Sequence, residues 1–149
     1  MTRPKKERLV KQPPLFTAFK PVGIRRYGLE TVLLSLDEYE AIRLADQEGL
    51  EHSEAAVRME ISRPTFTRLI DAARKKLADF IMNGKLLQIE GGSIHFKGNV
   101  FKCNNCGKII ALPMDEHVIL CPYCESEDIT DLAENHGHGD CCRDHENDR

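Results

Sequence analysis

"EAAVRMEISRPTFTRLIDAARKK" (residues 54–76) indicates the end of one helix, a break at residues 60–61 and the start of a longer helix. Apolar residues recur in the second part at helical spacings of three and four: Phe66, Leu69, Ile70 and Ala73. Ser62 is a preferred N-cap residue, and Pro64 is tolerated in the first turn because the first amides of a helix lack partners within it. The stretch therefore predicts two helices joined by a tight turn.

The same spacing matches a helix-turn-helix, which needs a small residue where the helices approach and apolar residues that pack the second helix back. With His52 as position one, Ala56 is the fifth residue, Phe66 the fifteenth and Leu69 the eighteenth. The ninth position usually holds glycine because it requires a positive φ, but here it is Glu60. A side chain there costs about 1 kcal/mol or more, so we expect a turn that is either strained or differently shaped.

The cations of the second helix suggest what this motif binds. On a helical projection centred on Phe66, the opposite face carries cations and small residues. The N-terminal part of such a helix approaches base edges in the major groove of double-stranded DNA. The pattern therefore predicts that three side chains read bases and two contact phosphate, as opposed to a solvated amphipathic helix in a bundle. The base-reading candidates are Arg63, Thr65 and Arg68, and the phosphate candidates are Lys75 and Lys76.

Capping and glycine signals predict the neighbouring elements. Ser35 followed by Glu38 is a capping-box pattern that starts an earlier helix, which Gly49 ends. The third helix is predicted to stop at residues 83–84, and residues 86–96, LLQIEGGSIHF, to form two short strands. The N-terminal region should thus be mainly α, with three helices.

Charge is segregated along the 149 residues, although the formal net charge is only −3. Residues 1–26 carry +7 and residues 61–97 carry +4, whereas residues 27–60 and residues 98–149 carry −7 each. Such banding suits a polyanion that meets the positive segments. The sequence has neither an apolar run of about 18 residues nor a secretory signal, which predicts a cytoplasmic, nucleoid-associated protein.

Several stretches together resemble a known family. They are RPKKER (3–8), FKPVGI (19–24), LSLDEYEAIRLADQEGL (34–50) and residues 54–92, which begin at EAAVRME. Over residues 3–92 the chain resembles an uncharacterised prokaryotic family of small predicted DNA-binding proteins, whose helix-turn-helix is similar to region 4 of sigma-70 factors. The resemblance implies a sequence-specific DNA-binding regulator. The chain departs from the family pattern at Glu7, usually Cys, and at Glu60, usually Gly.

Two cysteine knuckles follow the helices. Cys103-x2-Cys106 and Cys121-x2-Cys124 are separated by fourteen residues, a spacing typical of a four-thiolate zinc site. Four thiolates leave no open coordination position, so one structural zinc ion is predicted. A redox dithiol and an iron site are the alternatives.

The segments between the knuckles predict a small β zinc ribbon over residues 98–132. KIIALP (108–113) and HVIL (117–120) are the predicted hairpin strands, and His117 is interpreted as a surface residue because the metal site is already full. The ribbon is acidic, which favours stability or docking to a protein such as RNA polymerase over contact with DNA.

The C-terminal residues 133–149 are predicted to be a disordered tail. They contain a second candidate set of metal ligands, namely His136, His138, Cys141, Cys142 and His145. This set supports an alternative function as a metal-handling protein, in sensing or delivery, with incidental ligands in an acidic terminus as the simpler interpretation.

The full prediction is an α+β protein that binds DNA and regulates transcription. It comprises an arm and extended segment (1–26), a helix-turn-helix domain (27–97), the ribbon (98–132) and the tail (133–149). A homodimer is predicted because such motifs often read two half-sites. No phosphate-binding glycine loop, nucleophile–base set or open metal site is present in the sequence, so we do not expect an enzyme.

Overall fold

Three helices and eight short strands make up the part of the chain that the structure, a computed structural model, describes, namely residues 7–138. The chain divides into two units. Among the described residues, the first consists of residues 7–9 and Phe16–Ile94, and the second of Val10–Leu15 and residues 95–138. The predicted α+β class is confirmed. Between residues 7 and 138, no helix has the length and apolar character that crossing a bilayer requires.

Strand β4 (Leu86–Ile89) is the centre of a three-stranded sheet in the first unit. It pairs antiparallel with β2 (Ala18–Phe19) and parallel with β3 (Thr31–Leu34). Val32 and Leu34 of β3 are buried, whereas the two residues that alternate with them are exposed, so one face of this strand meets the core. Parallel neighbours need a long crossover, and the helices lie in that crossover.

The helices begin and end where the capping signals predict. Ser35 and Glu38 form the complete capping box at the start of the first helix, and Ser62 caps the third. Gly84 ends the third helix with a φ of 60°, which glycine adopts without steric cost. The helices are α1 (Leu36–Ile42), continued by a π-helical turn (Arg43–Gln47), α2 (His52–Met59) and α3 (Arg63–Asn83).

One apolar cluster holds the helices together. Its members come from α1, the π-helical turn, α2 and α3, and all are buried. They are Ala41, Leu44, Ala55, Ala56, Met59, Phe66, Leu69 and Ile70. Phe66, in the first turn of α3, is fully buried, so its packing in this cluster determines which face of that helix turns inward.

A two-stranded sheet is formed by β1 (Arg8–Val10) and β5 (Ile94–Phe96). Within the first unit the Arg8 N–H donates to the Ser93 carbonyl (3.0 Å), and within the second the Lys97 N–H donates to the Val10 carbonyl (2.8 Å). The described part of the N-terminal basic segment therefore includes hydrogen-bonded strand.

The second unit contains an antiparallel sheet with β6 (Gly98–Cys103) at its centre. Strand β7 (Ile109–Pro113) pairs with one edge of β6 and β8 (Ile129–Asp131) with the other. Val100 and Phe101 of β6 are buried. This sheet brings the end of β6, which is Cys103, beside the loop that contains the second pair of cysteines.

The prediction that residues 117–120 form a hairpin strand is wrong. These residues are irregular, and Ile119 is 83% exposed. Strand β7 pairs with β6 instead, in the register that places Phe101 opposite Ile110. The apolar run HVIL has the composition of a strand, but strand pairing depends on which distant segment buries its side chains, and here that segment is GNVFKC.

Candidate functional site

The turn between α2 and α3 has the backbone conformation that the sequence pattern requires. Glu60 ends α2 in the left-handed region, with φ 56° and ψ 42°. Its N–H donates to the Val57 carbonyl (3.1 Å), and the Ile61 N–H donates to the Ala56 carbonyl (3.0 Å). Of the two outcomes expected at this position, the strained one is observed, because a residue with a Cβ adopts a conformation that favours glycine.

The two helices meet through the residues predicted to pack between them. Ala56, Phe66 and Leu69 are buried and belong to the same cluster. Ala56 presents only a methyl group, which allows a close approach of α2 and α3. The buried side of α3 is therefore fixed, and its opposite side is left at the surface.

The first turn of α3 is closed by its own side chains. The Thr65 N–H donates to Ser62 Oγ (3.3 Å), and the hydroxyl groups of the two residues share a further hydrogen bond (2.7 Å). Thr65, a predicted base-reading residue, is half-buried, and its hydroxyl already takes part in this cap. Its methyl group remains the part that could contact a base.

A histidine at the start of α2 joins the two helices. A ring nitrogen of His52, at the start of α2, lies 3.0 Å from Thr67 Oγ1 of α3. The His52 ring also meets Phe66 edge-on, with ring centroids 5.3 Å apart. No local sequence signal identifies this contact, because it depends on how the turn at residues 60–62 places the helices.

Three of the predicted DNA-contacting cations lie at the surface of α3. The side chains of Arg63, Arg68 and Lys75 are exposed and form neither a hydrogen bond nor an ion pair with any other residue between 7 and 138. An unpaired guanidinium or ammonium group retains its full capacity to bind an external anion. The exposed acidic residue closest to them in the helix is Asp71.

Lys76, the second predicted phosphate contact, has a partner within the fold. Its Nζ donates to Glu38 Oε1 (2.6 Å), and Glu38 is only 4% exposed. The same oxygen accepts from the Ser35 N–H (3.0 Å) and the Ser35 hydroxyl (2.9 Å). The capping-box pattern identifies Glu38 as a cap, but it could not reveal that Glu38 also ties α1 to α3.

Other cations of the first unit are paired as well. Arg74 of α3 donates to both carboxylate oxygens of Asp46, at 3.2 and 2.7 Å. Arg8 forms an ion pair with Asp37 in the first turn of α1. Asp37 is buried, so this pair joins β1 to α1. On α3, the paired cations therefore stabilise the fold, whereas the unpaired cations remain available to bind an external anion.

The four knuckle cysteines form one compact group in the second unit. Their Sγ atoms all lie within 4.8 Å of one another, with Cys103–Cys124 at 3.6 Å and Cys106–Cys121 at 3.7 Å. A metal ion bound tetrahedrally by thiolates at about 2.3 Å requires S···S separations of about 3.8 Å. The four cysteines therefore lie close enough to hold a metal ion.

Both knuckles have the same backbone design. The Gly107 N–H donates to the Cys103 carbonyl (3.0 Å), and the Glu125 N–H donates to the Cys121 carbonyl (2.8 Å). Gly107 has a φ of 76° and Glu125 a φ of 63°. Each left-handed residue turns the chain back after the second cysteine of its pair, which directs both thiols to the same side.

Hydrogen bonds favour the thiolate form of one of the four cysteines. The Asn105 side-chain amide donates to Cys124 Sγ (3.5 Å), and this bond, with one from the Ser126 backbone, lowers the pKa of the Cys124 thiol to about 6. A thiol must lose its proton to bind a metal ion. Asn105 is a residue that the spacing of the cysteines alone could not single out.

The tail histidines within the described residues pack against β5. The His138 ring lies 6.2 Å from the His95 ring and 5.4 Å from the Phe96 ring, and the His136 ring lies 5.9 Å from Phe96. Among residues 7–138, only the knuckle cysteines form a group of three or more candidate ligands close enough to share an ion. The other predicted tail ligands, Cys141, Cys142 and His145, lie outside the described residues.

Comparison with known proteins places the chain in a family. Residues 1–97 match the family described as "Protein of unknown function DUF134". The chain is 50% identical over 132 residues to a UPF0251 protein of Chloroherpeton thalassium, which covers 89% of this chain and 87% of the relative. It is 42% identical over 143 residues to a UPF0251 protein of Moorella thermoacetica, and this match covers 96% of this chain and 94% of the relative. Matches of these lengths necessarily include the cysteine knuckles.

Proposed function

The chain belongs to the DUF134 family, and from the geometry of its helices we propose that it is a sequence-specific double-stranded DNA-binding protein that regulates transcription. In this proposal α2 and α3 form a helix-turn-helix, and α3 is the recognition helix that enters the major groove. Support comes from the buried contact of Ala56, Phe66 and Leu69 and from the left-handed turn at Glu60.

The observation that carries the proposal is the distribution of cations on α3. The helix has five cations, of which Arg74 and Lys76 neutralise carboxylates of the fold. The remaining three, Arg63, Arg68 and Lys75, are exposed and have no partner within residues 7–138. An exposed helix face that keeps its cations unpaired suits binding to phosphates and base edges.

The positions along α3 suggest a division of roles. Arg63 lies in the first turn and Arg68 in the second, the part of a recognition helix that approaches base edges. A guanidinium group can donate two hydrogen bonds to guanine O6 and N7, which gives about 1–3 kcal/mol of discrimination. Lys75 lies two turns further on and is assigned to phosphate, which contributes affinity without reading sequence.

We assign the second unit as a zinc ribbon with a structural role. Its three-stranded sheet presents two knuckles whose Sγ atoms lie within 4.8 Å of one another, and four thiolates are the ligand set that zinc favours in structural sites. Residues 109–138 contain no Lys or Arg, so repulsion from phosphate favours stability or protein docking for this unit.

The test starts with selection of bound duplexes from a random library by the full-length, metal-loaded chain. We expect enrichment of one motif, and Arg68→Ala should weaken binding to that motif by roughly 5- to 150-fold while it weakens binding to unrelated duplex far less. Arg74→Ala is the matched control, since it removes the same charge from the same helix at a site that pairs with Asp46. No enrichment, or equal losses for both variants on all duplexes, would refute the proposal.

Metal handling through the tail is a second candidate, favoured by one observation. His136 and His138 pack against Phe96, and His138 also meets His95, so imidazole groups of the tail gather near a further histidine. The candidate predicts that a chain ending at residue 134 binds one metal equivalent fewer than the full chain. Equal stoichiometry for the two chains, measured by elemental analysis after dialysis, would exclude it.

A further inference from the structure

Residues 20–30, which connect β2 to β3, form an exposed basic loop in the first unit. Val22 and Tyr27 are each 100% exposed, so neither side chain contributes to the core. Single exposed apolar residues are ordinary, but two fully exposed ones beside neighbouring arginines are a combination that a partner could use. The arginines are Arg25 and Arg26, both exposed.

The loop is held in shape by its backbone, although its side chains face solvent. The Ile24 N–H donates to the Pro21 carbonyl (3.5 Å), and a 3-10 turn at Arg26–Gly28 is closed by the Leu29 N–H on the Arg26 carbonyl (3.2 Å). The Arg26 guanidinium donates to Gln88 Oε1 of β4 (3.3 Å). A pre-shaped loop loses less entropy on binding than a flexible one.

The charge around the loop selects the class of partner. Residues 8–29 contain five cations and no acidic residue. The Arg25 side chain makes no hydrogen bond or ion pair with the other residues of the described chain, and the Arg26 side chain has only a neutral partner in Gln88. Apart from Glu30 at its end, whose carboxylate pairs with Lys85 (3.2 Å), the charged residues of the loop are all cations. Together with the exposed aromatic ring, this charge is complementary to a nucleic-acid backbone.

The loop lies beside the C-terminal end of the proposed recognition helix, α3. A Cβ placed on Gly84, which ends α3, would lie 3.7 Å from Pro21 Cγ, so the loop adjoins the C-terminal end of that helix. The 21 residues of α3 span about 30 Å, which is less than one helical turn of duplex DNA. With α3 lying along a major groove, its C-terminal end and the adjoining loop are within one helical turn of the bases contacted by its first turns.

We propose that the loop is a second DNA-contacting element, in which Arg25 binds a phosphate and Tyr27, with Val22, enters the minor groove that flanks the recognition site. The inference rests on the proposed function. Side chains of this kind are used by minor-groove binders, in which cations neutralise the backbone while apolar groups contact sugars and base steps. The loop thus extends the bound site beyond the bases that α3 reads.

The test compares two duplexes, the selected motif alone and the motif with about ten flanking base pairs on each side, roughly one helical turn. The wild-type, full-length chain should bind the flanked duplex more tightly. The double variant Arg25→Ala/Tyr27→Ala should lose roughly tenfold or more of that affinity and about one unit of the salt slope. Lys108→Ala/Tyr123→Ala is the matched control, because it also removes one cation and one exposed tyrosine, from the acidic second unit.

The outcomes separate the two proposals. If the wild-type chain binds neither duplex, the DNA-binding function and this inference both fail. If the wild-type chain binds but the Arg25/Tyr27 variant keeps its affinity, flank preference and salt slope, the inference alone is overturned. An unchanged DNA affinity together with loss of a protein partner would likewise overturn it, since the loop would then be a protein-docking surface. Matching unfolding midpoints verify that the variants fold.

Discussion

At the scale of the residue, Glu60 shows how a single backbone conformation defines the turn before α3. Its φ of 56° is unfavourable for a residue with a Cβ. We expect Glu60→Gly to raise the free energy of unfolding by about 0.5–1 kcal/mol, because glycine relieves the steric clash at some cost in unfolded-state entropy. Urea unfolding followed by helical circular dichroism measures the change.

Glu54→Gly is the control for that experiment. Glu54 lies in the first turn of the same helix α2 and is exposed, so its replacement removes the same charge. Glycine at this helical position is expected to lower the stability by about 1 kcal/mol, because it costs more backbone entropy and removes a carboxylate that favours the helix N-terminus. Opposite signs for the two substitutions are the predicted result, and a loss of stability in Glu60→Gly would contradict the strain assigned to the turn.

Two adjacent lysines are predicted to behave differently. Lys76→Met leaves the buried carboxylate of Glu38 without its cation and should lower the stability by about 1 kcal/mol, since the lysine is itself partly exposed. Lys75→Met should change stability by less than about 0.5 kcal/mol, as expected for an exposed site without a partner.

DNA binding should show the reverse order for the same two variants. Removal of the Lys75 charge should reduce the slope of log affinity against log salt concentration by about one unit. Lys76→Met should change this slope less, when both variants are compared under conditions in which they are folded. Parallel measurements of urea unfolding and fluorescence anisotropy provide the comparison. If the two variants changed both the stability and the DNA affinity to the same extent, Lys76 could not be assigned to the fold and Lys75 to DNA.

At the scale of the element, α3 carries an acidic residue, Asp71, among its exposed cations. Asp71 is exposed and lies between Arg68 and Lys75 in the sequence. Its carboxylate should repel phosphate, so Asp71→Asn is expected to tighten duplex binding by roughly threefold at low salt, an advantage that fades as ionic strength rises.

Asp115→Asn, in the acidic second unit, is the matched control for Asp71→Asn. Asp115 is exposed, and its replacement changes the net charge by the same amount. It should leave the affinity nearly unchanged. Weaker binding by Asp71→Asn in an anisotropy titration would place the DNA on another surface.

The helices could be predicted from the sequence because their signals are local. Ser35 and Ser62 cap, Gly84 terminates, and the spacing of the apolar residues defines the buried face of α3. The role of Lys76 could not be predicted, because its partner Glu38 lies 38 residues away along the chain. Strand pairing was missed for the same reason: the register of β6 with β7 and β8 is a non-local choice.

At the scale of the whole molecule, the cysteine group is expected to control the order of the second unit. The spacing of the cysteines predicted that they would come together, and the Sγ separations confirm that they do. Unfolded chains lack a preformed metal site, so metal binding and folding are coupled. A chelator should remove one metal equivalent per chain.

Hydrogen–deuterium exchange read by mass spectrometry measures the consequence of metal removal. Protection of β6, β7 and β8 should be lost, whereas the cluster around Phe66 should keep the helices protected. Cys121→Ser should reproduce the effect without a chelator. Full protection of these strands after complete removal of the metal would contradict a structural role for the cysteine group.

The proposed function requires that the exposed cations of α3 bind duplex DNA. The most direct measurement is an NMR titration of the full-length, metal-loaded chain with its selected duplex, followed through backbone amides and arginine guanidinium signals. We predict saturable shifts that are largest for residues 62–75, with protection of the Arg63 and Arg68 guanidinium protons. Shifts confined to the second unit, or none at DNA concentrations that exceed those of the protein, would contradict the claim.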